Sequence, residues 1–219
     1  MHPDPAFAMS ADEARAFAAD VAFAHIFLAV AERPMVIHAP VTVDAASTLS
    51  FHIARRNRAM PIAAGTRAIA SFGGPGAYVS PDWYEGADQV PTWNYVVAEA
   101  EGVIEPFDDE RLIAHLDAAS HAQESRLAPK PEWTRGKMDP RRFDAMRPAI
   151  EGFALHVEQW RGTAKLSQNK PAADVRGVIA GLRGAGKDHP ADLVERANRA
   201  RLQDGSTFRS DVGENGGFP

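Results

Sequence analysis

Short apolar runs follow one another through the first half of the chain, with no helical segments between them. They are rich in Ile, Val and Phe, which is typical of β-strands, and they occupy residues 25–31, 35–43, 48–54, 66–72 and 93–105. Parallel strands need a crossover connection of about a dozen residues or more. The pattern therefore predicts an α+β fold and excludes a doubly wound α/β sheet. We expect a small closed antiparallel barrel, because closure removes exposed strand edges.

Helical patterns flank these predicted strands. Ser10 and Glu13 form a capping box ahead of an amphipathic helix at residues 11–23. Asp108 can cap a second helix. The apolar spacing of this second helix predicts an inner face of Leu112, Ile113, Leu116 and Ala119, with His115 and His121 on the other side.

The last third of the chain alternates between element types. The pattern predicts a short helix at 140–146 capped by Asp139, a strand at 150–160, a helix over 175–182, and a last helix at 190–203 that Gly205 ends. We expect residues 1–205 to form a single domain with C-terminal helices, and residues 206–219 to form a flexible tail.

Composition narrows the chemistry. The 219 residues are 45% hydrophobic and 24% charged, as in an ordinary soluble domain, and they include no cysteine. Disulfides, thiolate catalysis and Cys-based zinc sites are therefore excluded. No apolar run approaches the length that spans a membrane, and no signal-peptide pattern opens the chain. We predict a cytoplasmic protein that does not associate with membranes.

Charge is unevenly distributed along the sequence. Residues 81–125 carry eleven acidic side chains and one basic one, whereas residues 126–187 carry thirteen basic and six acidic ones. Such segregation can form a basic face for DNA, or the two segments can face each other across the fold or a dimer interface, which we favour. Residues 173–202 loosely resemble a helix-turn-helix, but the three carboxylates of its second half would be repelled by phosphate. Direct DNA reading is therefore not favoured.

Residues 73–95 are dense in Gly, Pro and aromatic side chains. Proline and the residues before it favour rigid, extended backbone, and Trp and Tyr present flat surfaces with polar tips. Such a stretch suits a planar ligand or a subunit interface. The alternative is a buried loop between two strands, and the residues alone leave both interpretations open.

Five sequence words carry a resemblance to a known family. They read Phe-His-Ile-Ala-Arg-Arg-Asn at 51–57, Gly-Pro-Gly-Ala-Tyr-Val-Ser-Pro-Asp-Trp-Tyr at 74–84, Val-Pro-Thr-Trp-Asn-Tyr at 90–95, Glu-Gly-Phe at 151–153 and Lys-Leu-Ser-Gln-Asn at 165–169. In these words and their order the chain resembles the PaiB-type FMN-binding proteins, known as negative transcriptional regulators. It departs from the family pattern at Gly76, where His is usual, and at Arg58, where Pro is usual.

The resemblance implies a fold, a cofactor and an assembly. It implies a split β-barrel of the pyridoxamine-phosphate-oxidase type with flanking helices, and a homodimer with FMN at the subunit interface. The residues that it implies for cofactor binding are His52, Arg55, Asn57, Ser80, Trp93, Asn94, Lys165, Ser167 and Gln168. DNA or another regulatory partner is an expectation from the family's regulatory role.

The basic residues after the third apolar run suit a phosphate group. Arg55, Arg56 and Arg58 follow a predicted strand, with Asn57 among them, and guanidinium groups bind phosphate bidentately. The alternative is a solvated turn. His52 lies beside them, and its ring can be structural, bonding only to the sheet backbone.

A second polar cluster follows an expected turn at Gly162. Lys165 and Ser167 suit phosphate, while Gln168 and Asn169 suit the edge of a flavin ring; the alternative is a helix cap ahead of Pro171. Trp93 and Asn94 also have two interpretations. Either Trp93 stacks on the flavin ring and the Asn94 amide bonds to it, or Trp93 is a buried core residue and the Asn94 amide is satisfied within the protein.

Three functions are compatible with these patterns. The first is an FMN-binding protein of the regulatory type. The second is an oxidoreductase in which a reduced nicotinamide reduces the flavin and the flavin reduces a small acceptor or oxygen; flavin supplies that chemistry, so the lack of a catalytic motif does not exclude it. The third is a flavin-free barrel that binds another ligand such as a porphyrin, an alternative raised by Gly76. No catalytic residue and no metal site is predicted.

Overall fold

The apolar runs form a seven-stranded antiparallel sheet in the computed structural model, which describes residues 1–46 and 48–203. The strands are β1 (Ala8–Met9), β2 (Phe23–Val30), β3 (Arg33–Val43), β4 (Thr48–Ala54), β5 (Thr66–Val79), β6 (Thr92–Pro106) and β7 (Ile150–Lys165). The predicted end of the last helix at Gly205 and the predicted tail at 206–219 lie outside the described residues.

The sheet closes on itself, as the sequence predicted. Its order is β1-β7-β4-β3-β2-β5-β6, and an additional pairing of β7 with β6 joins the two sides. Phe51 on β4 lies opposite Phe153 on β7, and Ile26 on β2 lies opposite Ile37 on β3. The barrel interior is apolar because alternate strand residues point inward.

Strand β2 shows this alternation most clearly. Ala24, Ile26 and Leu28 are buried, while Phe23 and Phe27 are each 46% exposed. The inward residues join a core that includes Phe51 and Phe153, whose rings stack with centroids 5.5 Å apart. One face of the strand therefore supports the core and the other is open to solvent.

The described residues also form α-helices: α1 (Ala11–Val21), α2 (Asp109–Glu124), α3 (Pro140–Met146), α4 (Ala172–Gly184), α5 (Asp188–Ala197) and α6 (Arg199–Gln203). The predicted caps are confirmed. Ser10 and Glu13 form the capping box of α1, Asp108 caps α2, and Asp139 caps α3. The described residues contain no helix that is long and apolar enough to cross a membrane.

Two compact units share this chain. The first contains Met1, Ala8–Gly74 and Val97–Thr163, and the second contains His2–Phe7, Pro75–Val96 and the segment that starts at Ala164. Strands β5, β6 and β7 contribute residues to both units. The prediction of a single domain over residues 1–205 stays a prediction.

Two strands run further than predicted. Strand β5 continues through Gly73, Gly74 and Pro75 to Val79 instead of ending there. Strand β7 continues to Lys165, so the expected turn at Gly162 is wrong. A Cβ at Gly162 would lie 2.9 Å from Cβ of Met9. The glycine is therefore explained by the close approach of β1, and not by a change of chain direction.

Two helix predictions also need correction. His115 was predicted on the outer side of α2 but is only 6% exposed, because α2 packs this side against the sheet. The predicted helix at 190–203 is divided into α5 and α6 at Asn198. The buried Asn198 side chain donates through Nδ2 to the carbonyls of Leu166 and Val194. Such side-chain bonds compete with helix continuation.

Candidate cofactor-binding site

A small cavity of about 170 Å³ lies within the second unit. Its walls come from the start of β6, from the segment before it, and from the end of β7 with the loop that follows. We call it the Lys165–Lys170 cavity; it is lined by Tyr84, Val90, Thr92, Asn94, Lys165, Ser167, Asn169 and Lys170. Strands β6 and β7 supply Thr92, Asn94 and Lys165, whose positions are therefore held by the sheet.

Asn94 and Ser167 are the two buried polar residues that line the cavity. Asn94 is 2% exposed and Ser167 is 4% exposed, and Asn94 Nδ2 donates to Ser167 Oγ at 2.9 Å. Asn94 Oδ1 is buried and has no hydrogen-bond partner among the described residues. A buried acceptor without a partner costs about 1–3 kcal/mol, so a ligand that donates to it would bind favourably.

Two lysine ammonium groups line the same cavity. Lys165 Nζ donates to Thr92 Oγ1 at 2.7 Å, and Lys170 Nζ donates to Gln89 Oε1 at 2.7 Å. Both side chains are half-buried. Neither ammonium group pairs with a carboxylate within the described ranges, 1–46 and 48–203. The cavity therefore presents two partly desolvated positive charges to an incoming anion.

Tyr84 adds an aromatic wall with an unpaired polar end. Its hydroxyl is buried and lacks a hydrogen-bond partner in the described part of the chain, and Lys170 Nζ lies 4.6 Å from the ring centroid. Burial, and then the negative charge of Asp174, raise the pKa of Tyr84. The hydroxyl therefore stays protonated and available as a donor.

Helix α4 holds the segment that carries Tyr84. Asp174 Oδ1 accepts a hydrogen bond from the Glu85 amide at 2.9 Å. Trp83 packs against Gly177 and Gly181, where a Cβ would lie 1.9 Å from the Trp83 carbonyl oxygen and 2.3 Å from its ring, respectively. Only glycine permits this approach, so these two positions set the distance between α4 and the cavity wall.

Of the residues predicted to bind the cofactor, the structure brings together Asn94, Lys165 and Ser167 at this cavity. Ser80 instead caps a 3₁₀ turn through the Asp82 amide. The amide of Gln168 is used by its own loop, since it accepts from the Leu166 amide and donates to the Ala164 carbonyl.

Trp93 lies in the same unit but does not line the cavity. It is 59% exposed, so the alternative of a buried core Trp is wrong, and it meets Tyr78 edge to face with ring centroids 6.3 Å apart. This exposed aromatic pair sits on the parts of β5 and β6 that belong to the second unit.

The remaining predicted residues belong to the first unit. Arg55 pairs with Glu151, and Asn57 Oδ1 accepts from the Ala59 amide, which stabilises the predicted turn. Within the described residues, the His52 ring contacts a side chain and not the sheet backbone: its Nδ1 lies 3.1 Å from His115 Nε2. Burial lowers the pKa of His52, and burial together with the charge of His52 lowers the pKa of His115 to about 4. Both histidines therefore bind a proton less readily than an exposed histidine does.

A second hollow, of about 260 Å³, lies in the first unit beside α2. Its charged groups are already paired: Arg135 donates to both carboxylate oxygens of Asp117 at 3.0 and 2.9 Å, and His121 Nδ1 contacts Glu132 Oε2 at 2.7 Å. Arg135 accordingly lowers the pKa of Asp117. With its charges satisfied, this hollow is the weaker candidate for an ionic ligand.

Sequence reasoning missed Tyr84, Thr92 and Lys170. Each lies inside or directly beside a sequence word that was singled out. Thr92 is two residues from Asn94 and therefore shares its face of β6. Alternation along this strand could have found it. Burial of Tyr84 had no sequence signal that distinguished it from the neighbouring exposed aromatic residues.

Comparison with known proteins identifies the family. Residues 1–159 match the family described as "Putative FMN-binding domain". The chain belongs to this family, and the predicted cofactor, FMN, is the one that the family binds.

Individual relatives agree with this assignment. The chain is 28% identical over 127 residues to Protease synthase and sporulation protein PAI 2 of Bacillus subtilis, across 58% of the chain and 60% of that protein. It is 27% identical over 134 residues to an uncharacterized protein of Emericella nidulans, across 55% of the chain and 53% of that protein. The match thus spans little more than half the length of these relatives. The match to the PAI 2 protein confirms the PaiB-type resemblance.

Solved structures share the fold. The FAD and heme binding protein from Mycobacterium smegmatis aligns with a TM-score of 0.53 at 17% identity, covering 71% of each chain. A conserved hypothetical protein from Mycobacterium tuberculosis aligns with a TM-score of 0.52 at 12% identity, covering 78% of this chain and 94% of that one. At these identities the likeness concerns the fold alone.

Proposed function

We propose that this FMN-binding protein holds the phosphate end of FMN in the Lys165–Lys170 cavity. One observation carries the proposal: two half-buried ammonium groups line one cavity, with no carboxylate partner among the described residues. Removing a cation from water without a counter-charge is unfavourable. A phosphate would supply that counter-charge, and the Thr92 and Ser167 hydroxyls are further donors to its oxygens.

The volume of the cavity decides which part of FMN it takes. Sites for whole small-molecule ligands usually measure about 300–1,000 Å³, whereas this cavity measures about 170 Å³. It therefore suits the phosphate and the adjoining part of the ribityl chain, and not the three-ring flavin. Asn94 and Tyr84 line the cavity, and each has a buried polar atom without a partner in the described part of the chain, so we propose that both residues contact that chain.

When bound, FMN supplies electron and hydride transfer at its ring. The residues of the cavity bind and orient: the lysines neutralise the phosphate, and Asn94 and Tyr84 fix the neighbouring polar chain. The oxidoreductase alternative stays a prediction, which consumption of a reduced nicotinamide by the FMN-loaded protein would test.

The proposal is tested by fluorescence titration of the protein with FMN and, separately, with riboflavin. We expect Lys165→Met and Lys170→Met each to weaken FMN binding at least tenfold, a loss of about 1.4 kcal/mol or more. Riboflavin binding should change little, because riboflavin lacks the phosphate. Lys187→Met is the matched control, since Lys187 is an exposed lysine of the same unit.

Equal losses for FMN and riboflavin would contradict the phosphate assignment while leaving a flavin site. Unchanged FMN affinity in both lysine variants would place the phosphate elsewhere. In that case the sequence-based proposal that His52, Arg55 and Asn57 contact the cofactor is tested next. Arg55→Ala should then weaken FMN binding, whereas Glu151→Gln, which frees Arg55 from its carboxylate partner, should not.

The finer fold and assembly are also proposals. We propose a split barrel of the pyridoxamine-phosphate-oxidase type that forms a homodimer. The closure of the sheet by β6 and β7 supports the barrel type. The exposure of Tyr78 (47%), Val90 (71%) and Trp93 (59%) supports a subunit interface, because clustered exposed apolar side chains mark interaction surfaces.

We propose that any regulatory role, which the PaiB-type resemblance implies, does not depend on DNA reading by α4 and α5. Arg183 is engaged by both Asp192 and Glu195, at 3.2 and 2.7 Å, so the carboxylates of α5 neutralise a basic group and would repel phosphate. Fluorescence anisotropy with mixed-sequence duplex DNA at low salt should show no binding at micromolar protein.

The absence of cysteine supports the proposal of a cytoplasmic location.

A further inference from the structure

Two histidines face each other on the outer surface of the barrel. His25 on β2 and His38 on β3 are cross-strand partners in the register of the sheet, and both are exposed. Their Nδ1 atoms lie 2.6 Å apart, and the rings meet edge to face with centroids separated by 4.8 Å. The strands hold both Cα positions, so the two nitrogen atoms are brought together by the backbone.

Among the described residues, the strand neighbours of this pair are uncharged. The neighbours of His25 along β2 are Phe23 and Phe27, and its partner on β5 is Ser71. The neighbours of His38 along β3 are Val36 and Pro40. A hydrogen bond between two imidazoles needs one donor and one acceptor nitrogen. None of these neighbouring positions carries a carboxylate.

We propose that His25 and His38 bind a divalent first-row transition metal ion, such as Zn²⁺, through their two Nδ1 atoms. Imidazole nitrogen binds Zn²⁺ at about 2.0–2.1 Å. Two such bonds at a tetrahedral angle separate the nitrogen atoms by roughly 3.3 Å. The side chains must therefore open by several tenths of an ångström, which small rotations of two exposed rings achieve.

The ligand set determines which ions bind. Imidazole suits Zn²⁺, Cu²⁺ and Ni²⁺, whereas Mg²⁺ and Ca²⁺ prefer carboxylate and carbonyl oxygen. The described residues offer no cluster of three or more His, Cys, Asp or Glu that could hold a metal. Water therefore completes the coordination, and the ion keeps positions open to an external ligand.

The test is calorimetric titration with ZnCl₂ of chelator-treated protein that carries no polyhistidine tag. We expect one Zn²⁺ to bind per chain, and His25→Gln and His38→Gln each to weaken binding at least tenfold. His189→Gln is the control, because His189 is an exposed histidine on α5 in the other unit. MgCl₂ should give no binding at the same concentration.

Zn²⁺ affinity that is unchanged in His25→Gln or His38→Gln would overturn the proposal. Nuclear magnetic resonance of the histidine rings gives a second measurement on the unaltered protein. Zn²⁺ should shift the ring signals of His25 and His38 and leave those of His189 in place. The absence of a shift at either strand residue would refute the site even if a variant failed to fold. Both measurements are independent of FMN binding.

Discussion

At Gly177, the missing side chain lets α4 approach the backbone of Trp83. A Cβ there would lie 1.9 Å from the Trp83 carbonyl oxygen, a contact that backbone atoms cannot relieve by rotating. We expect Gly177→Ala to lower the free energy of unfolding by about 2 kcal/mol, the range for overpacking of a well-packed site. Urea unfolding measures this change.

Gly184 supplies the control in the same helix. A Cβ at Gly184 meets no atom of the described residues within 4 Å, so Gly184→Ala should leave stability unchanged or raise it by up to about 1 kcal/mol. Equal effects of the two substitutions would mean that Trp83 does not pack against α4 as described.

Buried His115, which contacts half-buried His52, makes stability depend on pH. In the unfolded chain a histidine binds a proton with a pKa of about 6.5, but the pKa of His115 in the folded protein is about 4. Stability is therefore complete above about pH 6.5 and falls as the pH drops towards 4, because only the unfolded state gains the proton. Between pH 7 and pH 5 we expect a loss of about 2 kcal/mol from His115.

Replacement of His115 tests this dependence. His115→Leu should reduce the loss of unfolding free energy between pH 7 and pH 5, measured by urea denaturation at each pH. His189→Gln, at an exposed position, should retain the loss seen in the parent protein. If His115→Leu lost as much unfolding free energy between pH 7 and pH 5 as the parent protein, other groups would control the acid sensitivity.

Single residues also mark where sequence reasoning succeeds and fails. Lys165, Ser167 and Asn94, which the sequence words singled out, line one cavity, and their role in cofactor binding stays a prediction. The pairing of Arg55 with Glu151 was not found, because the two residues are 96 positions apart and meet only when β4 and β7 pair. The burial of His115 was missed because apolar periodicity assigns a histidine to the polar side of a helix by default.

Among the elements, α1 begins at a complete capping box. Ser10 Oγ accepts from the Glu13 amide at 3.2 Å, and the Glu13 carboxylate accepts from the Ser10 amide at 2.7 Å. The bond from the Ser10 backbone, and then that from its hydroxyl, lower the pKa of Glu13. The contribution of these hydrogen bonds to the free energy of unfolding is therefore present at neutral pH and is lost as the pH falls through the pKa of Glu13 in the folded protein.

We expect Ser10→Ala to cost about 1 kcal/mol of stability, measured by urea unfolding at pH 7. Ser10→Asp keeps an acceptor at the cap and should stay close to the parent protein. If both variants lost the same stability, the cap would not be the source of the effect.

Elements whose ends are marked by capping residues were predicted well, and elements that pass through glycine or proline were not. Asp108 and Asp139 begin their helices as expected. Strand β5 passes through Gly73, Gly74 and Pro75, although such residues usually end strands. Proline has no backbone N–H to donate. Sequence alone does not tell whether a proline lies at a strand position whose N–H would pair with a neighbouring strand.

At the scale of the whole molecule, the exposed aromatic pair Tyr78 and Trp93 bears on assembly. If it lies in a dimer interface, as proposed, Trp93→Ser should weaken association and shift the mass measured by light scattering from dimer towards monomer at low micromolar concentration. Aromatic interface residues typically contribute about 2 kcal/mol or more. Trp133→Ser is the control, since Trp133 is also exposed (41%) but belongs to the first unit. A monomeric parent protein would refute the homodimer directly.

The chain passes repeatedly between its two units, leaving the first after residues 1, 74 and 163 and returning to it after residues 7 and 96. No single cut in the gene can therefore separate one unit from the other, and neither can be exchanged between proteins as one uninterrupted exon or fusion cassette. A recombination event that transfers an intact barrel must therefore transfer the Lys165–Lys170 cavity with it. New specificity in this architecture is thus expected to arise by point substitution and loop insertion, and not by shuffling of whole modules.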